Sequence, residues 1–134
     1  MRIMIDSNII ISAIRNPDGI PFAAYVKAAQ PPHKIILCDQ IVDEICKVFN
    51  RKFPDSVPLI ERFFTWALFE VVGTPGQEKS DEKENAIRDT NDRPILRAAL
   101  AANIDILITG DKDFLESGIN NPKIVTAAEF INDF

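Results

Sequence analysis

Histidine is nearly missing from this chain: His33 stands alone in the turn-like segment PPHK. A Ser–His–Asp or Cys–His system would therefore lack its base. Cysteine is also scarce. Cys38 and Cys46 are too few for a disulfide scaffold and too isolated for a zinc site, so free thiols in a cytoplasmic protein are expected. No apolar run approaches the ~18 residues that cross a bilayer. Asp6 interrupts the N-terminus before a signal-peptide core can form, so neither export nor membrane attachment is expected. G-x-x-x-x-G-K-[ST] and G-x-G-x-x-G are both absent, which removes nucleotide binding by those loops. Positive charge is in deficit, with 15 Lys and Arg against 20 Asp and Glu and a net charge of −5. That disfavours a general polyanion binder, which neutralises phosphates with Lys and Arg. It leaves room for an acidic site whose bound cations reverse the local sign.

What is present is the patterning of one domain over residues 1–134, without repeats or linkers. Short Ile/Leu/Val runs at 2–5, 34–38, 69–73, 105–110 and 123–126 read as strands. Between them, helical spacing predicts helices over 7–15, 21–30, 57–69 and 93–103, another that Asp39 caps, and a closing helix in AAEFINDF. Residues 74–92 are polar and turn-rich and read as a surface loop. Strands alternating with helices predict an α/β fold with a mostly parallel sheet covered on both faces. In such sheets, ligands bind beyond the carboxyl ends of the strands. Asp6 and Asp111 both stand at strand ends.

Each acid has an ordinary reading. Asp6, Asp92 and either Asp111 or Asp113 suit helix N-caps, and Glu44 suits a surface salt bridge to Lys47 or Arg51. Spacing weakens this for two of them. Asp92 shares a helical stripe with Ile95, Leu96, Ala99 and Asn103, and Glu44 lies on the shoulder of an apolar face. Asp6, Glu44, Asp92 and Asp111 can converge on one rim of a parallel sheet. Four carboxylates in one cleft repel unless protons or cations intervene. All-oxygen ligation suits hard cations such as Mg2+ or Mn2+, and phosphodiester hydrolysis is the chemistry that follows.

The segments MIDSNIIISAI, LCDQIVDEICKVFNRKF, DTNDRPILRAALAANIDILITGDKDF and KIVTAAEFI, in this order, resemble the successive motifs of PIN domains, most closely the toxin components of bacterial toxin–antitoxin pairs. The resemblance implies a three-layer α/β/α fold with a five-stranded parallel sheet and Mg2+- or Mn2+-dependent endoribonuclease activity. It maps the conserved acids onto Asp6, Glu44, Asp92 and Asp111, with Asp113 an additional metal ligand. Asn8 and Thr109 become supporting residues that orient carboxylates or a metal-bound water, and Asp89 extends the acidic approach. An RNA substrate, a small antitoxin partner and a homodimer are implied as well. Phe22, Tyr25, Phe63, Phe64 and Trp66 are core aromatics for the most part, with some available to a partner. Arg15, Arg51, Lys52, Arg93 and Lys112 are candidate phosphate contacts.

Two other classes stand beside this one. A catalytically silent PIN-like interaction module would keep the acids as remnants. Another α/β phosphotransfer protein is disfavoured, because Asp6 is followed by Ser7 and Asn8 rather than by D-x-D, and Lys123 begins its strand instead of ending it.

Overall fold

The computed structural model describes residues 1–134. Five strands form one all-parallel sheet: β1 (Arg2–Ile5), β2 (Lys34–Cys38), β3 (Phe69–Val72), β4 (Ile106–Ile108) and β5 (Lys123–Val125), in the order β3-β2-β1-β4-β5. The central strands are unbroken apolar runs because both their faces are covered. Ile3, Met4, Ile5, Ile36, Leu37 and Leu107 are wholly buried. The edges carry the polarity, with Glu70 and Val71 exposed on β3 and Lys123 on β5.

Helices α1 (Ser7–Arg15) and α2 (Ile20–Ala28) connect β1 to β2, and α3 (Asp39–Lys52) and α4 (Val57–Trp66) connect β2 to β3. The chain then reverses direction across the sheet. Helix α5 (Arg93–Ala101) leads to β4, the four-residue α6 (Lys112–Leu115) precedes β5, and α7 (Ala127–Asp133) closes the fold. Right-handed crossovers put the β1–β2–β3 connections on one face and the return through α5 on the other, giving three layers. The reversal leaves a crevice beyond the ends of the neighbouring strands β1 and β4.

Three local expectations are corrected. Residues 74–92 are not a plain surface loop. They contain short 3-10 helices at Gln77–Lys79 and Glu82–Ala86, the second closed by a reciprocal Asp81–Glu84 capping box. Ile87 is buried, and Glu84 is buried against Arg97, with Nη2–Oε1 at 2.7 Å; Arg97 Nη1 also donates to the Pro75 carbonyl. Helix α4 stops at Trp66 rather than 69, because Phe69 is already paired with Ile35 in the sheet. Asp39 is the first residue of α3, not its cap. Its Oδ1 accepts the Gln40 and Thr74 backbone N–H groups and the Thr74 hydroxyl, tying α3 to the end of β3.

Candidate metal centre

Strand register builds the centre. Ile5 pairs with Ile108, so the next residues, Asp6 and Thr109, leave the sheet side by side. The Asp6 N–H donates to the Ile108 carbonyl at 2.9 Å, which continues the ladder by one step. Asp6 is 6% exposed. Its Oδ1 accepts the Ser7 N–H at the start of α1, and its Oδ2 accepts the buried Thr109 hydroxyl, both at 2.8 Å. Asp6 is thus both the cap of α1 and a site acid, so the ordinary reading and the functional one hold together. Burial pushes its carboxyl up to about 6. The two hydrogen bonds oppose this, and the charges of Glu44 and Asp111 reinforce it.

Thr109 is the pivot of the β4 side. While its hydroxyl donates to Asp6, it accepts the Asp111 N–H at 3.0 Å. Asp111 in turn caps α6 by accepting the Asp113 N–H at 2.9 Å. Of the two aspartates in GDKDF, the cap is therefore Asp111. Asp113 is instead bound by Arg88, with Nε and Nη2 donating to its Oδ1 at 2.8 and 2.6 Å.

Asp92 precedes α5, yet its side chain caps nothing. The residues sharing its stripe, Ile95, Leu96 and Ala99, are buried against the sheet; Asn103 lies beyond the helix end with φ +55° and is exposed. Burial, then hydrogen-bond contact with Asp111, then the charges of Asp111, Asp89 and Asp6, push the Asp92 carboxyl up to about 7. Asp89, Asp92 and Asp113 also bring carboxylate oxygens within 4.8 Å of one another.

Glu44 forms no ion pair with Lys47 or Arg51. Its Oε2 accepts the Ser7 hydroxyl at 2.8 Å, and its Oε1 lies 3.5 Å from the Gln40 amide. Gln40 also donates to the Asn91 carbonyl at 2.9 Å, joining α3 to the segment that carries Asp92. Asp6, Glu44, Asp92 and Asp111 thus face one rim, Asp92 touching Asp111, but the acids whose oxygens close to within 4.8 Å of one another are Asp89, Asp92 and Asp113. Asn8 is exposed, its amide beside Gly110, and makes no side-chain hydrogen bond, so it holds none of the carboxylates. Ser7 does this work for Glu44, and Thr109 does it for Asp6.

Among the expected phosphate contacts, Arg15 stacks over the Phe53 ring and Arg93 donates to the Ile87 carbonyl at 2.9 Å. Arg51 and Lys52 end α3 about 18 Å from Asp39 along its axis. Lys112 remains exposed beside Asp111.

The donors are all oxygens. Two of the four acids are pushed up by burial and by one another's charge, and no lysine or arginine is paired with any of the four. Such a set fits a hard divalent cation better than zinc or copper.

A family model described as PIN domain matches residues 2–113, spanning every acid in this cluster. The chain belongs to the PIN domain family. Solved structures agree on the fold. VapBC2 from Rickettsia felis, bound to a DNA fragment from its promoter, superposes with a TM-score of 0.69 at 19% identity, over 92% of this chain and 97% of that one. PAE2754 from Pyrobaculum aerophilum gives a TM-score of 0.68 at 10% identity, over 98% and 88%. VapC20 from Mycobacterium tuberculosis, a Sarcin-Ricin loop cleaving toxin, gives 0.59 at 16% identity, over 89% and 97%. Among curated proteins, none is similar in sequence. No helix of the chain is long and apolar enough to cross a membrane.

Sequence reasoning missed Ser7, Gln40 and Arg88. Ser7 carried a readable hint, as a hydroxyl directly after a strand-end acid. Gln40 and Arg88 carried none, since their partners lie 51 and 25 residues away in the chain.

Proposed function

We propose that this PIN domain is a metal-dependent endoribonuclease and the toxin of a toxin–antitoxin pair, with Asp6, Glu44, Asp92 and Asp111 as its catalytic and metal-holding acids. The observation that carries the reading is the contact of Asp92 with Asp111 beside a buried Asp6, where burial first and like charges second raise two of the carboxyls to about 7 and about 6. A fold gains nothing from such repulsion by itself, whereas a bound Mg2+ or Mn2+ converts it into attraction. When bound, such a cation would activate water and stabilise charge on a phosphodiester.

The chain's own groups supply the orientation. Thr109 and the start of α1 fix the Asp6 carboxylate between them, while Ser7 holds one oxygen of Glu44 towards β1. Asp111 commits Oδ1 to its own helix while its carboxyl also meets that of Asp92. Asp89 and Asp113 extend the acidic rim, Asp113 as an additional ligand.

A groove of about 340 Å3 supports the partner assignment. Ile14, Phe22, Tyr25, Leu59, Phe63 and Trp66 line it, and Trp66 is 79% exposed. An apolar recess of this kind fits a helix of a small antitoxin. The homodimer and a cytoplasmic location follow from the same family reading.

The decisive assay is cleavage of a mixed RNA pool by the isolated protein. Mn2+ is expected to support cleavage, excess EDTA to abolish it, and Asp111→Asn to lower it at least about 100-fold. A partner-free wild type that cuts no RNA with either cation overturns the proposal and favours a silent interaction module.

A further inference from the structure

An acidic nuclease must still receive a polyanion, and most basic residues around this rim are otherwise engaged. Arg97 is spent on Glu84 and Pro75, and Arg15 stacks on Phe53, while Arg93 gives its Nε to the Ile87 carbonyl and is half-buried, with no acidic residue to hold its guanidinium. Arg88 differs from all of these. Its side chain is 80% exposed, yet Nε and Nη2 both bind Oδ1 of Asp113, whose side chain is only 17% exposed. The guanidinium is therefore held at the edge of the Asp89–Asp92–Asp113 cluster, while its Nη1 group and the outer Nη2 N–H have no acceptor in the chain. Its backbone is anchored too. The preceding residue, Ile87, is wholly buried, and its carbonyl is tied to Arg93.

We propose that Arg88 is a substrate-binding residue that takes a phosphate of the RNA backbone beside the acid cluster, with Asp113 as the residue that positions it. The assignment rests on the ribonuclease reading. A planar guanidinium with free N–H groups in a fixed fork matches phosphate oxygens bidentately, and an arginine already held in place loses little freedom on binding. Lys47 and Lys112, the other exposed cations here, have no anchor and reach phosphate only as mobile point charges.

The test uses a 2′-O-methylated single-stranded RNA, which binds without being cut, together with cleavage kinetics on the unmodified strand. Arg88→Gln is expected to raise Kd and KM roughly tenfold with kcat within about twofold, and to lower the slope of log affinity against log salt by about 0.7. Arg88→Lys should regain the slope but not the full affinity. Asp113→Asn should weaken binding in EDTA, where no cation is held, with the slope unchanged, because the guanidinium charge stays while its anchor goes. A wild type that cleaves RNA alongside an Arg88→Gln variant of equal KM and equal slope overturns the assignment and leaves the nuclease reading standing. Loss of Mn2+ binding or of melting temperature in Arg88→Gln, with the salt slope unaltered, also overturns it in favour of a structural role. A wild type that binds no RNA overturns both.

Discussion

Asp6→Asn separates the two roles of the central acid, because they push metal-free stability in opposite directions. The carboxyl ordinarily titrates near 3.8 and is raised to about 6 in the fold. At ~1.36 kcal/mol per unit, keeping it ionised costs the folded state about 3 kcal/mol. A raised carboxyl favours the folded state while protonated. Metal-free wild type is therefore expected to lose this stability as pH climbs from about 4 to about 6, and to level off above. Asparagine does not titrate and removes the cost. It also weakens the acceptor for Ser7 and Thr109, worth about 1 kcal/mol. At pH 7.5 in EDTA, Asp6→Asn should be more stable than wild type by about 2 kcal/mol, or roughly 6–10 °C in melting temperature for a chain of this size. At pH 4 the order should reverse, with the variant about 1 kcal/mol less stable. Thermal melts at both pH values measure the crossover. A variant less stable than wild type at both would refute the reasoning and leave Asp6 as a helix cap alone.

Ser7→Ala removes the only hydroxyl on Glu44. It is expected to lower Mn2+ affinity about tenfold while shifting the melting temperature by only a few degrees, as titration and melts together can show. Glu84→Ala leaves Arg97 buried without its partner, so urea denaturation should report a loss of about 3 kcal/mol. RNA cleavage should fall with it, because the pair holds residues 75–92, which carry Asp89 and Asp92.

Much of this fold was legible because burial on both faces writes itself as unbroken Ile/Leu runs, and because Asp6 and Asp111 directly follow two of them. The four acids could be picked out as candidates. Asp92 stood on an otherwise apolar stripe, and Glu44 stood on the shoulder of another. What escaped was tertiary pairing inside polar sequence. Residues 74–92 have the composition of a solvated loop, yet Glu84 is buried because Arg97 lies thirteen residues on, on the first turns of α5. Orientation escaped in the same way. Asn8 sits two residues after Asp6, as the family pattern has it. Its amide lies beside Gly110, and it is Ser7 whose hydroxyl reaches Glu44. The choice of cap between Asp111 and Asp113 was likewise settled by Arg88, through a contact that spans 25 residues of chain.

The central claim is that Asp6, Glu44, Asp92 and Asp111 form a cation site. Calorimetric titration of Mn2+ into the purified protein at pH 6.5, repeated in two buffers of different ionisation enthalpy, tests it most directly. With carboxyls raised to about 6 and about 7, the cation must displace protons, so the account predicts saturable binding with a buffer-dependent heat, tighter binding at pH 7.5, and loss of both in Asp111→Asn. Heat that is absent, or that survives Asp111→Asn unchanged, would contradict it.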